Sequence, residues 1–290
     1  MRPLAGRSVA VWARPVLLGL ASLVCLVPLL WTLLASMGVQ PSNTSHPPTW
    51  SWPPSLDSYT DLVIGEPAFP EEVSTSLLLA CTVTVLTLAV ALPAGYALAR
   101  TRRGGSTAQA FLVLATIPAM AYLIPLADAM RRSQLFDTFG GVALAAAASH
   151  APLAVYILHA YLARLPRELD EAARLDGATL PQLLWRVVLP GAATGLAATG
   201  VLIFALDWNL FLLPLVLTLR QVRTLPIAMS DFLTFERELD WSTAAAALVV
   251  SLAPLVLVVA VAHRAFERLR LEPPRHVRSA AGATRGPRVG

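Results

Sequence analysis

At 56% hydrophobic and only 14% charged, the 290 residues are more apolar than soluble domains, which run at roughly 45–50% and 25%, and so belong in a membrane. All 22 basic residues are Arg, set against 18 acids for a net charge of +4. Without a Lys there is no Walker A loop, whose Lys holds the β- and γ-phosphates, so the chain is no P-loop ATPase by itself. The Arg residues flank apolar runs as an orientation signal does, which argues against nucleic acid as a partner.

Crossing a hydrocarbon core about 30 Å thick takes about 20 helical residues. Six runs have that length: 15–37, 73–98, 108–127, 140–162, 191–219 and 241–262. The first is too long for the apolar region of a secretory signal and is read as a retained span. The N-terminus, the 100–103 loop, the 164–190 segment and the tail after His263 carry 17 of the Arg residues, and only 5 fall on the other side. Positive charge marks the cytoplasmic side, so the prediction is an all-α integral membrane protein of six spans with both termini cytoplasmic. Residues 1–14 form the N-terminal extension, 15–271 the membrane domain, and 272–290 a basic tail whose Pro, Gly and Arg content predicts disorder.

The first outer segment, residues 38–72, is rich in Pro and polar residues. It predicts an extended loop carrying Trp50 and Trp52 at the headgroup level, then a short interfacial helix from Leu56-Asp57. Asn43-Thr44-Ser45 fits a glycosylation sequon, a three-residue match too common to weigh. Cys25 and Cys81 lie within apolar runs as small hydrophobes, and neither a disulfide framework nor a zinc spacing is present.

Between the fourth and fifth spans stands LPRELDEAARLDGATLPQLLWRVVLP, residues 165–190. Glu168, Asp170 and Glu171 put negative charge at the positive end of a helix dipole, and Gly177 offers a left-handed stop. Ala172 and Ala173 leave a smooth patch beside Glu171, where another protein surface could approach while the carboxylate meets a cation. Thr179 is placed to cap a second short helix with Pro181 in its first turn, ended by Leu189-Pro190.

The spacing of Glu171-Ala172-Ala173, Gly177, Val187 and Leu189-Pro190 resembles the EAA signature of permease subunits of binding-protein-dependent ABC importers. The order PPTW to DSYTDL, GYALAR, IP before LIPL, the EAA segment and DWNLFLLPL is similar to the carbohydrate-uptake branch, in particular its maltose-transporter-type second permease. The resemblance covers roughly residues 12–270. It implies a non-catalytic subunit that moves a sugar or glycoside by alternating access. The implied partners are a second homologous permease, two cytoplasmic ATPase subunits, an extracytoplasmic solute-binding protein and membrane lipid, with no cofactor and no metal. Glu171, Ala172, Ala173, Gly177, Val187, Leu189 and Pro190 would then form the coupling loop. The tail, RLRLEPPRHVRSAAGATRGPRVG, departs from the family's short Gly-Ala-Val-Lys-Gly-like end. Phosphodiesters and polyamines are the alternative cargoes within the class. A secondary transporter would need more intramembrane charges and inverted repeats.

Asp207 is the only acid within a predicted span, a position normally reserved for a bundle interior or a wet cavity. Counted at 1.5 Å per residue from Gly191 it lies about 24 Å along the span, toward the outer half. With Trp208 and Asn209 it offers an acceptor, a flat apolar face and an amide, suited to sugar hydroxyls along a translocation pathway. A helix–helix hydrogen bond or an interfacial position accounts for Asp207 equally well. The family pattern has Trp-Asn followed by an acid or amide, where this chain has Leu210. His150 and His159, nine residues apart on one helix, point to opposite faces and are read as interior histidines. The Gly191 to Gly195 stretch matches a small-xxx-small packing pattern. Pro93, Pro118, Pro125, Pro152, Pro214 and Pro254 lie in or beside spans as candidate kinks.

Overall fold

A computed structural model of the chain describes residues 5–41, 49–231 and 241–271. The Asn43 sequon and the tail from Glu272 lie outside the described residues. Among those residues every regular element is helical, and one isolated antiparallel bridge pairs Pro41 with Trp50.

Helix α1 covers Ala5–Ser36, α2 Asp57–Ile64, α3 Phe69–Arg100, α4 Gly104–Ala115, α5 Ala119–Arg132 and α6 Phe139–Leu162. A short helix α7, Glu168–Leu175, precedes α8, Leu180–Leu183. A π-helical turn over Leu184–Val188 leads into α9, Leu189–Gly191, and then come α10, Ala193–Trp208, and α11, Leu212–Leu217. The last two are α12, Leu225–Asp231, and α13, Trp241–Leu271. Among the described residues four helices are long and apolar enough to cross a membrane, or up to six if each of two bent pairs counts as one span. α2 begins where the sequence predicted a short helix.

The runs at 108–127 and 191–219 are interrupted at or just before two of the candidate kinks, Pro118 and Pro214. α4 and α5 meet at 86°, because Pro118 has no N–H to give and keeps Ile117 out of the helical region. Pro118 itself is extended, with ψ 138°. The stretch Leu180–Gly191 meets α10 at 80°. α10 stops at Trp208, since Pro214 would clash with the Leu210 carbonyl if one helix ran through both. The second short helix of the 165–190 segment ends at Gly191, one residue past Leu189-Pro190; ahead of it the N–H of Leu189 bonds to the carbonyl of Leu184, five residues back. Widening the turn ahead of Pro190 lets the helix accept a ring that an i−4 ladder would reject.

The chain divides into two units. In the first, up to Ser74 and Leu225–Ala253, the Ser36 hydroxyl lies 2.7 Å from that of Tyr59, tying α1 to α2. Trp31 meets Trp50 edge-on, with ring centroids 6.0 Å apart. Apolar side chains of α1 such as Leu17 and Val24 are largely exposed, as lipid-facing positions are.

The second unit, Thr75–Thr224 and Pro254–Gly290, is built on α6. Val142, Ala143, Ala145, Ala146 and Ala147 form one core with Leu79 and Val83 of α3, Leu123 and Ala127 of α5, and Leu213 and Leu217 of α11. Ala154, Val155, Leu158 and Leu162 form a second core with Ala91 and Tyr96 of α3, Leu183 of α8 and Ile203 of α10. Close packing rests on glycine. A Cβ on Gly195 would stand 2.6 Å from the Tyr161 ring, and one on Gly95 would stand 3.0 Å from the His159 nitrogen. Gly191 is less crowded, its nearest contact being Leu165 at 3.7 Å, so the pair seen in the sequence is one tight contact and one ordinary one.

Candidate functional site

The elbow at residues 165–190 has a locked back and a bare front. Of its three first-turn acids, Asp170 turns inward and is buried. Its Oδ2 accepts from Nε of Arg100 at 2.5 Å and from the Tyr96 hydroxyl at 2.8 Å, and its Oδ1 accepts from Nη2 of Arg100 at 3.4 Å. Nη1 of the same guanidinium donates to the carbonyls of Leu162 and Leu165, at 3.2 and 3.4 Å. These are carbonyls at and just past the end of α6, at the negative pole of its dipole, and that of Leu162 also accepts from the Leu165 N–H at 3.1 Å. One Arg therefore joins α3, α6 and α7. Burial pushes the Asp170 carboxyl up, but hydrogen bonds from Arg100 and Tyr96 outweigh it and hold the group below its ordinary value.

The front of α7 is open. Glu171 and Ala172 are exposed, Ala173 is half-buried, and Leu175 is 89% exposed. No ion pair joins Glu171 to Arg174 among the described residues. Gly177 has φ +80° with open space where a Cβ would stand, so its demand is conformational and not steric. The Gln182 side chain then accepts from the Thr179 N–H at 2.8 Å, starting α8. Val187 is half-buried against the second core, Leu189 is half-buried, and Pro190 is exposed.

Asp207, Trp208 and Asn209 do not share one surface. The Asp207 side chain is fully buried, with Oδ1 3.1 Å from Nδ1 of His150. That contact is off the line of a hydrogen bond, and neither carboxylate oxygen has another partner among the described residues. Trp208 is buried and stacked on Phe204, ring centroids 6.1 Å apart. Asn209 is exposed, its amide donating to the Ala205 carbonyl at 2.8 Å. Asp207 lies beside His150, in the middle of α6.

Residues 91–271 match the family model described as the binding-protein-dependent transport system inner membrane component. The chain belongs to that family. The inner-membrane component is thus a multi-pass protein, and the EAA spacing sits within the matched region. It is 32% identical over 250 residues to the trehalose transport system permease protein SugB of Mycobacterium tuberculosis, covering 82% of this chain and 88% of that one. It is 29% identical over 244 residues to the trehalose/maltose transport system permease protein MalG of Thermococcus litoralis, covering 82% and 87%. In fold it is similar to a chain of a bacterial ABC transporter involved in the import of the acidic polysaccharide alginate. There the TM-score is 0.73 and the identity 20%, over 91% of this chain and 98% of that one.

A second polar staple of this inner-membrane component escaped the sequence. Asp137, at φ 55° in the turn between α5 and α6, accepts from the backbone N–H groups of Leu219, Arg220 and Gln221 at 2.9, 3.2 and 3.2 Å. Its own N–H donates to the Leu217 carbonyl at 2.9 Å. The N–H groups of Leu219 and Gln221 lead in holding the carboxyl below its ordinary value. The staple is present above the unfolded value, about pH 4, and is lost as pH falls through the lower folded one. Asp137→Ala is expected to speed amide hydrogen exchange at Leu219, Arg220 and Gln221. Asp137→Asn, which keeps an acceptor and tolerates the left-handed region, is expected to speed it less. Equal exchange in the wild type and both variants would refute the staple.

Proposed function

We propose that the chain is a translocating permease subunit of an ATP-driven importer for a sugar or glycoside. In this reading it holds no nucleotide and performs no covalent chemistry. Both termini and the elbow face the cytoplasm, a second homologous permease completes the membrane pathway, and two ATPase subunits work beneath it. An extracytoplasmic solute-binding protein delivers cargo to the outer loops, which include residues 220–240; of these, 232–240 lie outside the described residues.

The observation that carries the reading is the elbow's division into a bare face and a clamped one. Glu171 offers an unpaired carboxylate beside the small Ala172 and the exposed Leu175. An exposed apolar and charged patch of this kind suits a protein contact, here a basic cleft on an ATPase. Glu171, Ala172, Ala173, Gly177, Val187, Leu189 and Pro190 form the coupling loop. Motion of the peg passes through Asp170 and Arg100 into α3 and α6, switching a two-state membrane domain between outward and inward access. Asp207, Trp208 and Asn209 border the pathway, with Asp207 behind its wall.

The sugar class is supported by the names of the two relatives, a trehalose and a trehalose/maltose permease. Uptake by proteoliposomes holding the complete importer tests it. Trehalose or maltose should accumulate with ATP and loaded binding protein. Accumulation of a polyamine or a phosphodiester instead would overturn the sugar assignment.

A further inference from the structure

His150 divides α6 almost equally, about 16 Å from Phe139 and about 18 Å from Leu162 at 1.5 Å per residue. It sits at the seam between the two cores, past Ala147 of the first and before Ala154 of the second. A cleft of about 470 Å³ opens there, lined by Tyr122, Ser149, His150, Pro152, Ile117 and Leu210, among others. That size falls within the roughly 300–1,000 Å³ of small-molecule sites.

Two helix interruptions of this unit border the same cleft. Ile117 belongs to the α4–α5 break and Leu210 to the gap between α10 and α11. Non-helical backbone at membrane depth is tolerated where it is buried in protein or lines a water-filled cavity, and discontinuous helices form solute sites in other transporters. His150 is the imidazole in this lining, which it shares with the Tyr122 phenol. Its Nδ1 is buried against Asp207, while the side chain as a whole keeps 16% exposure. Of the two ring nitrogens only Nδ1 is buried without a partner, which leaves Nε2 as the nitrogen open to the cleft.

We infer that His150, braced from behind by Asp207, contacts the sugar in this cleft through Nε2, with Asp207 acting as a positioning residue. With Nδ1–H turned toward the carboxylate, Nε2 accepts from a sugar hydroxyl, and a small rotation about χ2 aligns the brace. A fully buried carboxylate with no other partner is costly, and orienting a ligand-bearing imidazole gives that cost a function. The inference rests on the sugar-importer reading.

The test compares uptake of trehalose with uptake of deoxy-trehaloses, one hydroxyl removed at a time, in proteoliposomes holding the complete importer. One hydroxyl should matter by about tenfold in the wild type, the worth of one hydrogen bond. In His150→Ala the trehalose rate should fall by about the same factor, and removal of that hydroxyl should cost nothing further. His150→Gln, which keeps an acceptor, should recover part of the discrimination, and Asp207→Ala should lose it. Detergent-solubilised yield and binding-protein affinity, measured on each variant, separate a misfolded variant from a lost contact. If His150→Ala and His150→Gln both discriminate among the analogues as the wild type does, the contact is overturned and the importer reading stands. If the wild type takes up no trehalose or maltose, the importer reading fails, and the contact with it.

Discussion

Arg100→Ala is expected to release α7 from the membrane helices and to reduce ATP-driven uptake by at least tenfold, while the permease still inserts. The guanidinium and the Asp170 side chain retain only 15% and 10% exposure, and removing one partner of a buried pair costs roughly 3–5 kcal/mol because the other charge is left uncompensated. At 1.4 kcal/mol per tenfold, the population of docked elbow falls by about two to three and a half orders of magnitude relative to the undocked one. Arg100→Lys keeps the charge but loses the planar fork that reaches Asp170 and two carbonyls together, and should fall between. Amide hydrogen exchange over Glu168–Leu175 reads the release directly. In the wild type, protection should be flat from pH 8 to pH 5. The Asp170 carboxyl lies below its ordinary value, so its contribution is fully present above about pH 4 and is lost only as pH falls through the folded value. Unchanged exchange in Arg100→Ala would remove the clamp from the account.

The elbow was legible in the sequence because its signals are local. First-turn acids, a Gly with positive φ and a Thr-initiated second helix all act within a few residues of where they are read. The clamp was not, because Asp170 finds its partners 70 and 74 positions away. Only the i,i+4 spacing of Tyr96 and Arg100, which puts both on one face of α3, hinted that a polar target lay opposite. Asp137 was hidden for the same reason, its acceptor role being spent on backbone groups more than 80 residues on. Apolar run length located the candidate spans, and their breaks were legible only from Pro118 and Pro214, which act through geometry and leave hydropathy unchanged. Asp207 drew attention by its charge, whereas the cleft beside it is bordered by His150, which the sequence suggested only as an interior histidine.

Gly177→Val and Glu171→Gln should lower binding-protein-stimulated ATP hydrolysis and transport together without unfolding the spans. A branched side chain at φ +80° carries a left-handed backbone penalty of roughly 1–2 kcal/mol, relieved by swinging the end of α7 and with it the Glu171 face. No neighbour would be struck, since open space surrounds that Cβ position. Glu171→Gln leaves the shape and removes the charge offered to the ATPase. Asp170, buried on the opposite side of α7, keeps the elbow attached in both variants. The decisive measurement is ATPase stimulation by loaded binding protein, read in parallel with uptake, in proteoliposomes of the complete importer. The elbow account predicts at least tenfold loss of both in Gly177→Val and a marked loss in Glu171→Gln, with normal assembly of the two permeases. Wild-type stimulation and uptake in both variants would contradict it.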